Sequence, residues 1–454
     1  MIEYLYHNLS LSKGKVAIVL LTVIMVYSQS VTGFSGGALD DKHTTWMFFA
    51  VIALAIVNLL GWGRLNYRLA TEGYLSVDFV ANWVAARALI IESESPYQPE
   101  VTRAILTALD TDVAPILERV PQFTSPIYTI LLFLPIAFIA DLSIAQTVWM
   151  SLQQIILVVL ILLSVHISPA KPGRVVFGLL VLTTFLGFHT LAPIYDGSTI
   201  LVTSLFLILA LLCVRNGRDE LGGAFLGLTT IQLPYLVLPI TLILLWSLSH
   251  RKRLVVLWFF GILILLTVLG IFVIPGWPIQ YLKILLRYPL YFPVSSPGAA
   301  FRTWWPGVGG LMSWLLTIIT ALVLLFEWWM ALRGDFRTLL WVMGFTLTVG
   351  IWTGLPAIPQ NLVLLLLPLI LCVSAWSERW GRAGSVIAAI SLIIIFVWEW
   401  GLAYKNLGST LQVDSLRLLL PLPIVCLVGL YWIRSVIVRP KRLLIDQMRS
   451  GDNA

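Results

Sequence analysis

Residues 251–274 read RKRLVVLWFFGILILLTVLGIFVI, three adjacent cations followed by 21 residues without a charge. As a helix the uncharged run rises about 32 Å, which matches a hydrocarbon core of about 30 Å. Cations at one mouth of such a run mark its cytoplasmic end. This one stretch therefore places the chain in a bilayer and gives it a direction.

The same pattern repeats outward in both directions. Apolar runs at 15–33, 46–62, 142–166, 174–192, 198–214, 221–233, 234–248, 254–275, 308–331, 338–354, 361–377, 384–402 and 416–436 are candidate spans. Only 11% of the 454 residues are charged and 59% are hydrophobic. A soluble domain carries about 25% charged residues, so there is too little polar surface here to cover a water-exposed globule. The fold class is all-α, a polytopic membrane protein of about 11–13 transmembrane helices. Several of the 19 Trp flank the runs as interfacial anchors would, among them Trp62, Trp277, Trp352 and Trp432. The net charge of +7 sits in short clusters between runs, which reports topology and argues against a nucleic-acid partner. Cys213, Cys372 and Cys426 lie inside apolar runs without metal-ligand spacing and read as packing residues.

The loops divide by charge. One set holds Lys171 and Arg174; Arg215 and Arg218; Arg251, Lys252 and Arg253; Arg333 and Arg337; Arg379 and Arg382; and Arg434, Arg439, Lys441 and Arg442. The short loops of the other set, around Asp141, Asp196, Gln232 and Pro356, hold no basic residue. This alternation puts the first set and the C-terminus in the cytoplasm, provided that 221–248 crosses twice with a break near Pro234. Five regions follow: N-terminal transmembrane segments (1–62), a first outer loop (63–141), a central transmembrane module (142–275), a second outer loop (276–307) and C-terminal transmembrane helices with a short tail (308–454). Within the first outer loop the apolar stretch Pro126–Ala140 is too short to cross and reads as a re-entrant or juxtamembrane helix. The N-terminus fits less well, since Lys13 and Lys15 fall on the outer side. Segment 15–33 either crosses or lies in the interface, and a cleaved signal peptide suits poorly a run followed at once by another.

Candidate chemistry concentrates on the outer side. After Asp78 the sequence reads as a helix, with Asp78, Asn82, Ala85 and Leu89 on one face. A carboxylate there is either a helix cap or a general base held at the helix start. Ser95-Pro96-Tyr97 and Phe123-Thr124-Ser125-Pro126 are turns that would bound a cavity. His189 and Asp196-Gly197-Ser198 lie at the mouths of adjacent spans, as a polar turn or a catalytic pair; one His and one Asp are a weak metal signal, so no cofactor is expected and a divalent metal, though compatible, is not indicated. Gln232 is a buried polar group needing a partner. Lys283, Arg287 and Arg302 in the second outer loop either neutralise a lipid phosphate or snorkel to headgroups.

The run Asp78-Phe79, Asn82-Trp83, Ala85-Ala86-Arg87-Ala88-Leu89 and Ser95-Pro96-Tyr97, followed by Phe123 and Ser125-Pro126, resembles the bacterial family-87 glycosyltransferases of the glycosyltransferase-C superfold. The resemblance extends through Asn216-Gly217-Arg218, Gly222–Leu228 and Arg251-Lys252-Arg253, covering roughly residues 75–255. It implies a bacterial plasma-membrane enzyme with its active site on the outer face. Asp78 would be the base that deprotonates the acceptor, with Asn82, Trp83, Arg87, Tyr97, His189, Asp196, Gln232, Lys283, Arg287 and Arg302 around the substrates. The donor would be a hexose, mannose being the family's pattern, on polyprenyl phosphate, and the acceptor a lipid or glycan. The chain departs from the family at Asp196-Gly197, where Gly-Gln is usual, near Gln232, where a Lys is usual, and at Ser125-Pro126, where two prolines are usual. Two other functions share parts of this pattern. A transporter or lipid flippase would need ionisable groups at mid-membrane, where Glu327 and Glu399 are the exceptions to an otherwise apolar interior. A glycan polymerase or ligase would share the lipid-phosphate donor.

Overall fold

The computed structural model describes residues 61–71, 76–109, 122–291, 301, 304–353, 359–405 and 421–438. The candidate spans 15–33 and most of 46–62, Arg302, and the Arg439–Arg442 tail lie outside the described residues. Among those described there is helix and no strand. Seven helical stretches are long and apolar enough to cross a membrane: Leu142–Ile167, Arg174–Asp196, Asp219–Ser249, Arg253–Val273, Gly309–Ala331, Gln360–Tyr404 and Pro421–Val438. Their outward faces are apolar and exposed, as on Arg253–Val273 and Gly309–Ala331, which is what a lipid solvent requires.

In chain order the helices are α1 (61–71), α2 (Val77–Arg87), α3 (Pro99–Ala108), α4 (Ile130–Ala137), α5 (Leu142–Ile167), α6 (Arg174–Leu186), α7 (Phe188–Asp196), α8 (Ile200–Arg215), α9 (Asp219–Leu228), α10 (Leu233–Ser249), α11 (Arg253–Val273), α12 (Trp277–Tyr291), α13 (Gly309–Ala331), α14 (Phe336–Thr353), α15 (Leu366–Lys405) and α16 (Pro421–Val438). Helix α1 runs beside α5, where Asn66 donates to Ser151 Oγ at 3.0 Å and to Gln154 Oε1 at 3.1 Å.

Two of the seven stretches reverse direction. Asp219–Ser249 is broken by the 3-10 turn Thr229–Gln232, and Pro234 sits in the first turn of α10. The Lys252 ammonium, just past α10, lies 2.7 Å from Asp219 Oδ1 at the start of α9 and donates to Val214 O at 3.1 Å. A straight helix of 31 residues would hold its ends about 46 Å apart. The segment therefore doubles back at Gln232, as the loop charges require. The chain reverses two residues before Pro234, and the proline starts the returning helix, where its missing donor costs nothing. Beyond the hairpin, α9 packs closely on α11: a Cβ at Gly223 would come 2.2 Å from Val255 O, and one at Gly227 would come 3.0 Å from the Ile262 side chain. In α15, Gly381 (φ 55°, ψ −120°) separates two helices, in agreement with spans expected at 361–377 and 384–402.

The loops sort to two ends. At one end Lys171 Nζ donates to the carbonyls of Val165, His166 and Ser168, and its backbone N–H donates to Glu378. Arg215 reaches His166 O and Ile167 O, Gly173 N–H donates to Ser377, and Trp246 Nε1 donates to Gly334 O. The basic loops thus gather together. Half-burial lowers the Lys171 pKa, and Arg215 lowers it further, against the pull of Glu378. The turns at 76–78, 141–149, 195–199, 232 and 360 meet at the opposite end.

Candidate functional site

Helix α2 is buried on nearly every side, with Phe79, Val80, Ala81, Asn82, Trp83, Ala85 and Ala86 all inside. Ser76 is its N-cap residue, yet its hydroxyl does not bond its own helix. It donates instead to Tyr195 O, and accepts from Gln146 Nε2 at 2.6 Å. The cap comes from another element. The Asp196 carboxylate accepts the backbone N–H groups of Val77 and Asp78, with Gln360 Nε2 donating to its Oδ2 at 3.1 Å. These bonds satisfy donors that a helix start leaves unpaired, and the helix dipole favours an anion there.

Gly197 makes this junction possible. Its φ of +75° is left-handed, and a Cβ there would stand 2.3 Å from the Phe79 Cβ. The 195–199 turn is also held from α5 by a polar stripe on an apolar helix: Trp149 Nε1 donates to Gly197 O at 2.9 Å and Gln153 Nε2 to Ser198 O at 3.0 Å. Gln232 Nε2 donates to Thr199 Oγ1 at 2.6 Å, which gives that expected buried amide its partner.

Asp78 occupies the first turn of α2, but its carboxyl is not the cap. Burial pushes its pKa well above the ordinary carboxylate range, the neighbouring Asp196 carboxylate pushes it further, and a hydrogen bond with Ser198 opposes both. Burial raises the Asp196 pKa as well, but its three donors oppose the rise, so of the two adjacent carboxyls Asp78 is the more strongly raised. Such an asymmetric pair is the arrangement that acid–base chemistry uses. Asn82 Nδ2 donates to Asp78 O at 2.7 Å, and its Oδ1 is buried without a hydrogen-bond partner.

Other expected site residues stand around this pair as supports. Trp83 Nε1 donates to Ile136 O at 3.3 Å, and Arg87 Nη1 donates to Ala137 O at 2.8 Å and Ile139 O at 3.4 Å. The Arg87 guanidinium lies 4.9 Å over the Trp83 ring. Together they close the C-terminus of the short helix α4, whose carbonyls have no helical partner. With its leading 3-10 turn that helix spans Ile127–Ala137, about 16 Å in all, which is too short to cross. Tyr97 OH donates to Ser125 O at 2.9 Å, and Tyr128 OH bonds Thr230 Oγ1 at 2.8 Å. Burial raises the Tyr97 pKa well above its ordinary value and pushes Tyr128 up to about 12, so both phenols stay neutral donors.

His189 stands apart from Asp78. It follows the helix break at Gly187, and its Nδ1 lies 2.9 and 3.0 Å from the two oxygens of Glu399, which also accepts its backbone N–H. Nearby, Trp400 Nε1 donates to Leu186 O at 2.7 Å and closes the end of α6. Glu327 is paired likewise, with Arg434 Nη2 at 2.9 Å. The two acidic exceptions in the apolar interior are thus both partnered, Glu327 by a guanidinium and Glu399 by an imidazole. Glu399→Gln keeps the shape and loses the charge, and it is expected to lower stability by about 1.5–3 kcal/mol, read as a lower thermal midpoint in detergent. An unchanged midpoint would mean that the pair does not brace α7 against α15.

Lys283 and Arg287 lie exposed on α12 and have no ion-pair partner among the described residues. Two small apolar hollows lie deeper in the bundle. One, lined by Tyr235, Leu238, Thr346, Gly350, Asn361 and Leu364, begins one residue from Gln360. Gln360 and Gln146 were not anticipated from sequence, although an amide in the apolar run after Pro359 and the Gln146/Trp149/Gln153 spacing on α5 were available signals. Compared with family models, curated proteins and solved structures, the chain matches none.

Proposed function

We propose that this chain is a membrane-embedded glycosyltransferase that moves a hexose from a polyprenyl-phosphate donor to a lipid or glycan acceptor. Asp78 serves as general base. The observation that carries this reading is the carboxyl pair, in which burial raises both pKa values but three donors hold Asp196 back while Asp78 rises further. A base tuned upward from the carboxylate range works closer to neutral pH. Its neighbour on the turn, Ser198, holds the carboxyl in place.

In the reaction the acceptor hydroxyl gives its proton to the Asp78 carboxylate. Its oxygen bonds to the anomeric carbon as the bond from that carbon to the phosphate oxygen breaks. Polyprenyl phosphate leaves with the electron pair. The isoprenoid needs lipid while the sugar needs water, which is the physical reason for building such a site at a membrane end. The basic loops at the other end support a cytoplasmic side there, so in this reading the pair faces outward from a bacterial plasma membrane.

The transporter alternative is disfavoured because Glu327 and Glu399, acidic groups within the described spans, are each held by a partner, Arg434 and His189. The test is a transfer assay with the full-length protein in lipid vesicles and a labelled polyprenyl-phosphate hexose. Release of polyprenyl phosphate with label in a new glycoside is the expected result. Products that grow by repeated addition would favour a polymerase, and no turnover of any lipid-linked hexose would overturn the proposal.

A further inference from the structure

Helix α12 begins where α11 ends. The 21 residues of Arg253–Val273 rise about 31 Å, the thickness of a hydrocarbon core, so the turn after them lies at its boundary. Trp277 pins α12 at that level. It is buried, its Nε1 donates to Thr267 O at 3.3 Å, and its ring meets Tyr128 edge-on with centroids 5.9 Å apart. Ile284, two turns on, is buried on the same face.

Among the described residues nothing covers the opposite face. Ile279 is 64% exposed, Leu282 52% and Leu286 72%, forming one stripe at i, i+3 and i+7. Lys283 and Arg287 are exposed along one flank of that stripe, spaced i, i+4. Neither water nor hydrocarbon suits this face, because water leaves the aliphatic stripe exposed and hydrocarbon strips the cations. The boundary of an anionic leaflet satisfies both, with the stripe in the acyl region and the cations at phosphate level.

We propose that α12 lies in the membrane interface and binds the headgroups of anionic bilayer lipids through Lys283 and Arg287. Charge decides the occupant, since two adjacent cations without a counter-ion among the described residues match a layer of phosphates. The inference stands independently of the transferase reading.

The full-length protein carrying Leu286→Cys, labelled with an environment-sensitive fluorophore, is reconstituted in vesicles of phosphatidylcholine, with or without phosphatidylglycerol. Unsubstituted protein supplies the labelling background. Expected are blue-shifted emission and stronger quenching by lipid spin-labelled near the headgroup than near the chain end. Native mass spectrometry then reads retained phosphatidylglycerol, which falls roughly fivefold for each of Lys283→Gln and Arg287→Gln. Both positions are exposed, so these variants keep the parent thermal midpoint. A label quenched by aqueous iodide and not by lipid overturns the proposal. So do disulfide-linked dimers through position 286, or phosphatidylglycerol retention unchanged in the doubly substituted protein.

Discussion

Asp78→Asn is expected to fold, insert and bind donor while transfer falls by about 10²–10⁴-fold, the usual worth of a general base. The amide has the shape of the carboxyl and still accepts the Ser198 hydrogen bond, so a broken site cannot explain the loss. A second readout separates chemistry from structure. The folded protein holds the Asp78 proton more tightly than the unfolded chain does. Stability from this group is therefore complete below the ordinary Asp range, near about pH 4, and is lost as pH rises through the raised folded value. The loss is about 1.4 kcal/mol for each tenfold gain in proton affinity on folding. The amide cannot titrate, so thermal midpoints of the variant should lack that decline at rising pH. A full rate in Asp78→Asn would remove this residue from the mechanism. Parallel pH–stability curves would show that Asp196 and burial do not act on it as described.

Gly197→Ala should be damaging for so small a substitution, costing about 2–5 kcal/mol. A left-handed backbone costs a non-glycine residue about 1–2 kcal/mol, and overfilling a packed site about 1–3. Here the new Cβ would also stand 2.9 Å from the Phe79 Cα, so backbone as well as side chain must give way. Moving α2 aside breaks the Ser76–Tyr195 bond and draws the Val77 and Asp78 amides off Asp196. Gly217→Ala is the control, with a φ of +72° and open space around it. It should show the conformational cost alone. Equal thermal shifts for the two variants would mean that the α2 junction tolerates separation.

Much of the fold was legible because a bilayer imposes it. The uncharged run after Arg251-Lys252-Arg253 became α11, and loop charges required the reversal at Gln232 before any contact was known. The short helix after Pro126 followed from length alone. Site residues were legible as positions and less so as roles. Asp78, Asp196 and Ser198 do meet, but the helix cap is Asp196, 118 residues along from the backbone it binds. No periodicity reports a bond of that kind. Trp83 and Arg87 lie on the helix expected to face substrate, and they turn to the carbonyls at the end of α4. His189 shares an end of the bundle with Asp196, and the break at Gly187 turns its ring to Glu399. Spacing fixes which residues share a helix face; which element covers that face is decided by pairings far apart in the chain.

The doubled-back segment has a consequence for how the protein is made. Helix α9 has ten residues, half of what an inserting segment needs to be retained by itself. Gly222 meets Val214 and Ala210 of the preceding α8, but Gly223 and Gly227 gain their neighbours only when Val255, Phe259 and Ile262 of α11 have been synthesised. Helix α9 therefore completes its packing only once α11 follows, and a nascent chain halted before residue 262 would leave α9 with one of its two neighbours.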